Sequence, residues 1–178
     1  PRILYLHSWS RTQDEGWVRA SFDNYGVPYT YMGDKELAHM SNLKSQYDVV
    51  VYPHTGANSQ ATLDGVAMTG TEPIPYKKSA EYPSFGTPDS TSDIRGGMGI
   101  EGLMNLYKFV QAGGLLLTEG STSGLFPDFN LTPGVAVDQV EGLFARGVLV
   151  RGMINDLRSP VAYGLGYNQM SVYFSSGP

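Results

Sequence analysis

The chain has 178 residues, 12 Lys and Arg against 17 Asp and Glu, a net charge of −5 and no cysteine. Without any basic run, that balance lacks the electrostatic footprint of a nucleic-acid binder, and the missing thiols exclude cysteine nucleophiles, disulfides and Cys-ligated zinc. The length suits a single domain, 1–178, which buries roughly two-thirds of its unfolded surface without a covalent staple.

Arg2 to His7 is a short run of strand formers and reads as the first strand. Thr12 to Glu15 has the spacing of a capping box, and Val18, Phe22 and Tyr25 then recur at helical spacing up to Gly26. Val27 to Met32 reads as a second strand, with its early Pro28 near a sheet edge. Asp34 is placed to cap a short helix through Met40, and Tyr47 to Tyr52 gives the clearest strand signal of the chain. A Gly-, Pro- and Ser-rich loop follows over 55–99, with one short helix expected from Asn58 to Val66; loops of this length are usually functional.

Ile100 to Ala112 returns to helical spacing and feeds Leu115, Leu116 and Leu117. Three consecutive leucines suit a central parallel strand covered on both faces. Further on, Val135 to Phe144 reads as a short helix or irregular, and 147–154 and 170–174 as short strands, the former antiparallel and at an edge. Strands alternating with helices give an α/β fold, a three-layer sandwich with a mainly parallel central sheet. No apolar run reaches the roughly 18 residues of a membrane-spanning helix and no signal-peptide pattern is present, so neither membrane nor nucleic acid is an expected partner. Starting at Pro1 directly with a strand, the sequence is expected to come from a larger protein.

Ligands in open α/β sheets bind beyond the carboxyl ends of the strands. Glu119, Gly120 and Ser121 lie there after the leucine strand, and His7 and His54 directly follow two other strands, with Trp9 close by. Ser121 is a candidate nucleophile on a strand-to-helix elbow, although the G-x-S-x-G spacing is not met, and a serine at such a turn more often caps a helix. The histidines lack any H-E-x-x-H or H-x-x-E spacing, so no metal and no cofactor are expected. Gly97 to Gly102 spells G-x-G-x-x-G but follows a loop rather than a strand, which favours close helix packing over nucleotide binding. Asp14 and Glu15 with Trp17 can be read as a carboxylate pair against an aromatic platform for a sugar, but carboxylates in the first turn of a helix are the ordinary outcome of dipole and cap preference, which is the favoured reading.

The order of Asp14 to Trp17, Tyr25 to Tyr29, Tyr47 to Pro53, Gly96 to Gly102, Phe109 to Gly114 and Ser159 to Gly164 resembles the class I glutamine amidotransferase-like, flavodoxin-like fold. The particular likeness is to the cysteine-less version appended to some bacterial zinc carboxypeptidases of the M14 type. That resemblance implies a secreted or periplasmic accessory domain C-terminal to a peptidase domain, with a structural, assembly or substrate-placing role, and leaves room for a homo-oligomer. A working amidotransferase carries a cysteine in the elbow and a downstream histidine; here the elbow holds Glu119, Gly120 and Ser121, and no histidine follows His54. The family's fold also closes with a further strand and helix, so an uncovered sheet edge or apolar face is expected. Two other readings stand beside this one: a small-molecule hydrolase using Ser121 or Glu119 with His7 or His54, and a sugar- or peptide-binding module using Trp9, Trp17 and tyrosines beside the long loop.

Overall fold

The computed structural model describes residues 1–136 and 147–174, so the helix expected from Val135 to Phe144 lies largely outside the described residues. The chain divides into two compact units, Pro1–Ala136 and Val137–Pro178.

In the first unit, β1 (Ile3–His7), β2 (Thr30–Gly33), β3 (Val49–Tyr52) and β4 (Leu115–Thr118) form one sheet in the order β2-β1-β3-β4. Every pairing is parallel, with Tyr5 opposite Tyr31 and Val51, and Val51 opposite Leu117. The helices are α1 (Gln13–Asn24), a 3₁₀ helix (Asp34–His39), α2 (Leu43–Gln46), α3 (Ser59–Asp64), α4 (Gly99–Gln111), a 3₁₀ turn (Gly120–Gly124) and α5 (Leu125–Asp128). Among the described residues no helix is long and apolar enough to cross a membrane.

Side chains alternate across a strand, so each face of the sheet has its own layer. On one face Leu4, Leu6, Val50 and Tyr52 join Leu103, Leu106 and Phe109 of α4 in a single buried core. On the other, the Tyr5 ring meets Phe22 edge-on at 5.6 Å, and its hydroxyl donates to the Glu15 carbonyl at 2.6 Å, which fixes α1. This is an α/β three-layer arrangement around a parallel sheet of flavodoxin-like order.

Two expectations from the sequence are corrected. Among the described residues the leucine strand is the edge of the sheet, not its centre: Leu116 faces the α4 core, while Leu115 and Leu117 point to the α1 face and stay 53% and 46% exposed. An apolar run suggested two covered faces, and alternation plus the edge position delivers one. The capping box of α1 does not form either, because Thr12 makes no side-chain cap and the Glu15 carboxylate accepts from the Tyr31 hydroxyl instead.

The long loop is well organised. Arg95 is buried and donates to both oxygens of Asp93 and to the carbonyls of Thr69 and Gly70, while Lys35 donates to the Asp93 carbonyl. The guanidinium beside it holds the Asp93 carboxyl well below the usual range. Two of the G-x-G-x-x-G glycines serve packing: an added Cβ at Gly97 would run into the Leu63 carbonyl, and one at Gly102 would come within 3.1 Å of Leu37 Cβ, while Gly99 has open space around it and a φ of +60°.

The second unit contains β5 (Val148–Met153) and β6 (Gln169–Phe174), paired antiparallel from Val148 opposite Phe174 to Met153 opposite Gln169, with a 3₁₀ turn at Pro160–Ala162. The expected antiparallel strand therefore belongs to a separate two-stranded sheet.

Candidate functional site

The connection from β1 turns to one side to reach β2, and that from β3 to the other to reach β4, so the strand order reverses between β1 and β3. The crest above those two strands is where an open α/β sheet leaves a crevice. The sequence candidates gather there in two groups.

His54, Gly120 and Ser121 form the first. The Ser121 amide donates to His54 Nδ1 at 2.9 Å, and Ser121 Oγ accepts from the Thr55 and Gly56 amides at 3.2 and 3.0 Å. The strained position of the turn is Gly120, with φ +55°, where a Cβ would overlap His54 Nδ1. His54 Nδ1 is thus an acceptor, its proton sits on Nε2, and Nε2 lies 3.7 Å from Asp14 Oδ2. The lone pair that a base needs is directed at a main-chain amide, not at the serine hydroxyl. Glu119 is exposed, and its amide donates to Thr122 Oγ1, which in turn donates to the Tyr52 carbonyl. These bonds close the turn against β3.

His7 and Trp9 form the second group, on the α1 side. His7 Nδ1 lies 3.1 Å from the Ser8 carbonyl and Nε2 lies 2.9 Å from Asp89 Oδ2. Two acceptors face the two ring nitrogens, so only the doubly protonated ring donates to both. Asp89 Oδ2 also accepts from the Gly33 amide at 3.0 Å, which latches the long loop onto the ends of β1 and β2. The His7 ring stacks on Tyr31 at 4.2 Å and meets Trp9 edge-on at 4.7 Å; Trp9 leads on to Tyr76 at 5.7 Å, and Tyr76 to Phe85 at 4.8 Å. A row of aromatic rings therefore runs from the sheet into the loop.

Between this row and α1 lies a cavity of about 240 Å³, lined among others by Trp9, Glu15, Arg19, Tyr31, Tyr76 and Asp89. Glu15 is only 2% exposed; its Oε1 accepts from Tyr31 at 2.7 Å and its Oε2 has no partner. Arg19 lies over the Tyr31 ring at 5.0 Å with its Nε also buried and unpartnered. Each such group costs about 1–3 kcal/mol while unpaired. Burial and the Glu15 carboxylate push the Tyr31 phenol well above its usual range, so it remains a donor.

A smaller cavity of about 100 Å³ sits between the ends of β1 and β3, lined by Ser8, Arg11, Asp34, Tyr52, Thr55 and Thr62 among others. Its size admits no more than a few waters. The Tyr52 hydroxyl donates to Asp34 Oδ2 at 2.6 Å, and burial raises the Asp34 carboxyl to about 6 despite that bond.

The structure thus brings His54, Gly120 and Ser121 together and sends His7 and Trp9 to a different pocket, while Trp17 is 72% exposed. Sequence reasoning missed Arg19, Tyr31, Tyr76, Asp89, Asp34 and Tyr52, and favoured the helix end for Glu15 over a sugar platform with Asp14 and Trp17. A usable signal was present for part of this: Glu15 and Arg19 are four apart on one helix face, and Tyr5 and His7 are two apart on one strand face. Among the described residues no three His, Cys, Asp or Glu side chains gather so as to hold a metal ion. A comparison with protein-family models, curated proteins and solved structures found no significant match.

Proposed function

We propose that this chain is a non-catalytic, amidotransferase-like accessory domain that acts beside the peptidase domain of a bacterial zinc carboxypeptidase of the M14 type, in assembly or in placing substrate. The observation that carries the non-catalytic half is the turn after β4. A nucleophile needs an adjacent base to take its proton. Here the Ser121 hydroxyl oxygen is an acceptor for two main-chain amides, the His54 lone pair is held by a third, and the strained turn position is a glycine. The accessory half rests on the resemblance of the sequence and on the absence from this chain of the peptidase's own H-x-x-E spacing, since Ala57 stands three residues after His54.

The test is an assay of the purified chain against glutamine, p-nitrophenyl acetate and a peptide amide, beside Ser121→Ala. Neither protein is expected to hydrolyse any of them above buffer. The variant instead loses about 1–3 kcal/mol of stability in urea, because the buried Thr55 amide is left unpaired. A rate that disappears in Ser121→Ala overturns the non-catalytic half. Sequence of the full polypeptide on either side, without an H-x-x-E peptidase domain, overturns the accessory half.

A further inference from the structure

Residues 76–91 of the long loop form a flap with one base and one fastening. The base is an antiparallel bridge, in which the Tyr76 amide donates to the Thr91 carbonyl at 3.0 Å and the Thr91 amide to the Tyr76 carbonyl at 3.1 Å. Just beyond it, the Arg95–Asp93 pair and Lys35 hold the chain. Within the flap, the Tyr82 carbonyl accepts from the Ser79 and Phe85 amides and the Tyr82 ring stacks on Phe85, so the flap is held to itself. Among the described residues its hydrogen bonds to the sheet both end on one atom, Asp89 Oδ2, which accepts from the Gly33 amide and faces His7 Nε2. Tyr76, Thr87, Pro88 and Asp89 of the flap line one side of the cavity beside α1.

That fastening depends on a proton. His7 is 3% exposed, with Nδ1 at 3.1 Å from the Ser8 carbonyl and Nε2 at 2.9 Å from Asp89. The imidazolium donates to both, whereas the neutral ring has a single N–H and turns a lone pair on the other acceptor. Losing the ring charge also reduces a charge-assisted bond to an ordinary one, or removes it. Other titratable groups surround the ring. Tyr31 of β2 stacks on it as a neutral phenol, Glu15 and Arg19 of α1 stand behind Tyr31, and Asp34, beside Lys35, follows the end of β2. None of them hydrogen-bonds to Asp89, so none replaces the donor that His7 supplies.

We infer that the flap 76–91 is a pH-sensitive strap over the cavity beside α1, fastened while His7 carries both ring protons and released as rising pH removes one. The fastened state holds one proton more than the released state, so raising the pH favours release. At the acid end the strap holds until Asp89 itself takes up a proton. This device is independent of the accessory role proposed above, and its test reads no activity.

The experiment follows the Gly33 amide by hydrogen exchange and the His7 ring nitrogens by ¹⁵N NMR, in the purified chain from about pH 5 to about pH 9. Gly33 protection is corrected for base catalysis and taken relative to the Val51 amide inside β3, which reports global unfolding. It is expected to fall about tenfold in step with the loss of the His7 proton, the equivalent of weakening one charge-assisted bond. Asp89→Asn keeps an acceptor for Gly33 without the charge, and is expected to show low protection at the acid end and a flat profile. His7→Gln offers an uncharged donor that does not titrate, and a flat profile is expected there too; the Asp89 variant carries the test even where replacing the stacked His7 ring costs the fold. Wild-type protection that stays flat while His7 loses its proton, a His7 ring with the same number of protons from end to end, or the wild-type step persisting in Asp89→Asn overturns the inference.

Discussion

Asp34 and Tyr52 share a hydrogen bond of 2.6 Å at the crest between β1 and β3, where both residues are buried. Burial disfavours the charged carboxylate and outweighs the Tyr52 bond, the His7 charge and the Lys35 amide, all of which favour it. The native state therefore binds a proton that the unfolded chain releases earlier. Stability from this group is present in full below pH 3.8 and is lost as pH rises through about 6. The rise from 3.8 to about 6 corresponds to about 3 kcal/mol between the two protonation states. Asp48 and Asp93, each held low by an arginine, act in the opposite direction, losing stability as pH falls. A difference measurement isolates Asp34: in urea unfolding from pH 3.5 to 7, Asp34→Asn is expected to gain on wild type by up to about 3 kcal/mol as pH rises. A pH-independent difference would refute this. None of it was legible in the sequence, where Asp34 reads as a helix cap; its partner lies 18 residues away and the crossover from β2 to β3 brings them together.

At the scale of elements the sequence was more informative, because period is a local property. β1, β3, α1 and α4 lie within a few residues of their expected bounds, and Asn58 caps α3 by accepting from the Ala61 amide. What failed was the use made of the elements. The three leucines of β4 describe a strand, but nothing in them says whether a neighbour will cover each face. The glycines of 97–102 match a phosphate-binding pattern, and the burden of Gly97 and Gly102 is instead steric: at Gly102 a Cβ meets Leu37 Cβ of the 3₁₀ helix Asp34–His39 at 3.1 Å and Met98 Cβ, at the start of α4 itself, at 2.7 Å. Gly102→Ala is accordingly expected to destabilise by about 1–3 kcal/mol, the usual cost of overpacking, even though alanine is the better helix former. Gly16→Ala in α1, where nothing lies within 4 Å, should be neutral or stabilising. Thermal melts of the two variants check the contrast, and similar shifts in both would contradict the packing argument.

At the scale of the whole molecule, the buried cluster from Leu4 to Phe126, the aromatic row, the turn at Gly120 and both crest cavities all belong to Pro1–Ala136. The length of the chain suggested one domain because length bounds total burial and says nothing of how contacts divide. Among the described residues the sheet of β5 and β6 pairs only within itself, and two-stranded ribbons are marginal in water without further packing. The stability of the first unit is therefore expected to reside in its own residues. A polypeptide of residues 1–136 should unfold in urea in a single cooperative transition and keep the pH-dependent difference between wild type and Asp34→Asn, since every group that sets it is retained. Its slope with urea should correspond to the surface exposed by 136 residues rather than 178. A broad, non-cooperative transition in this fragment, with the full chain cooperative, would show that the first unit depends on the second for its core.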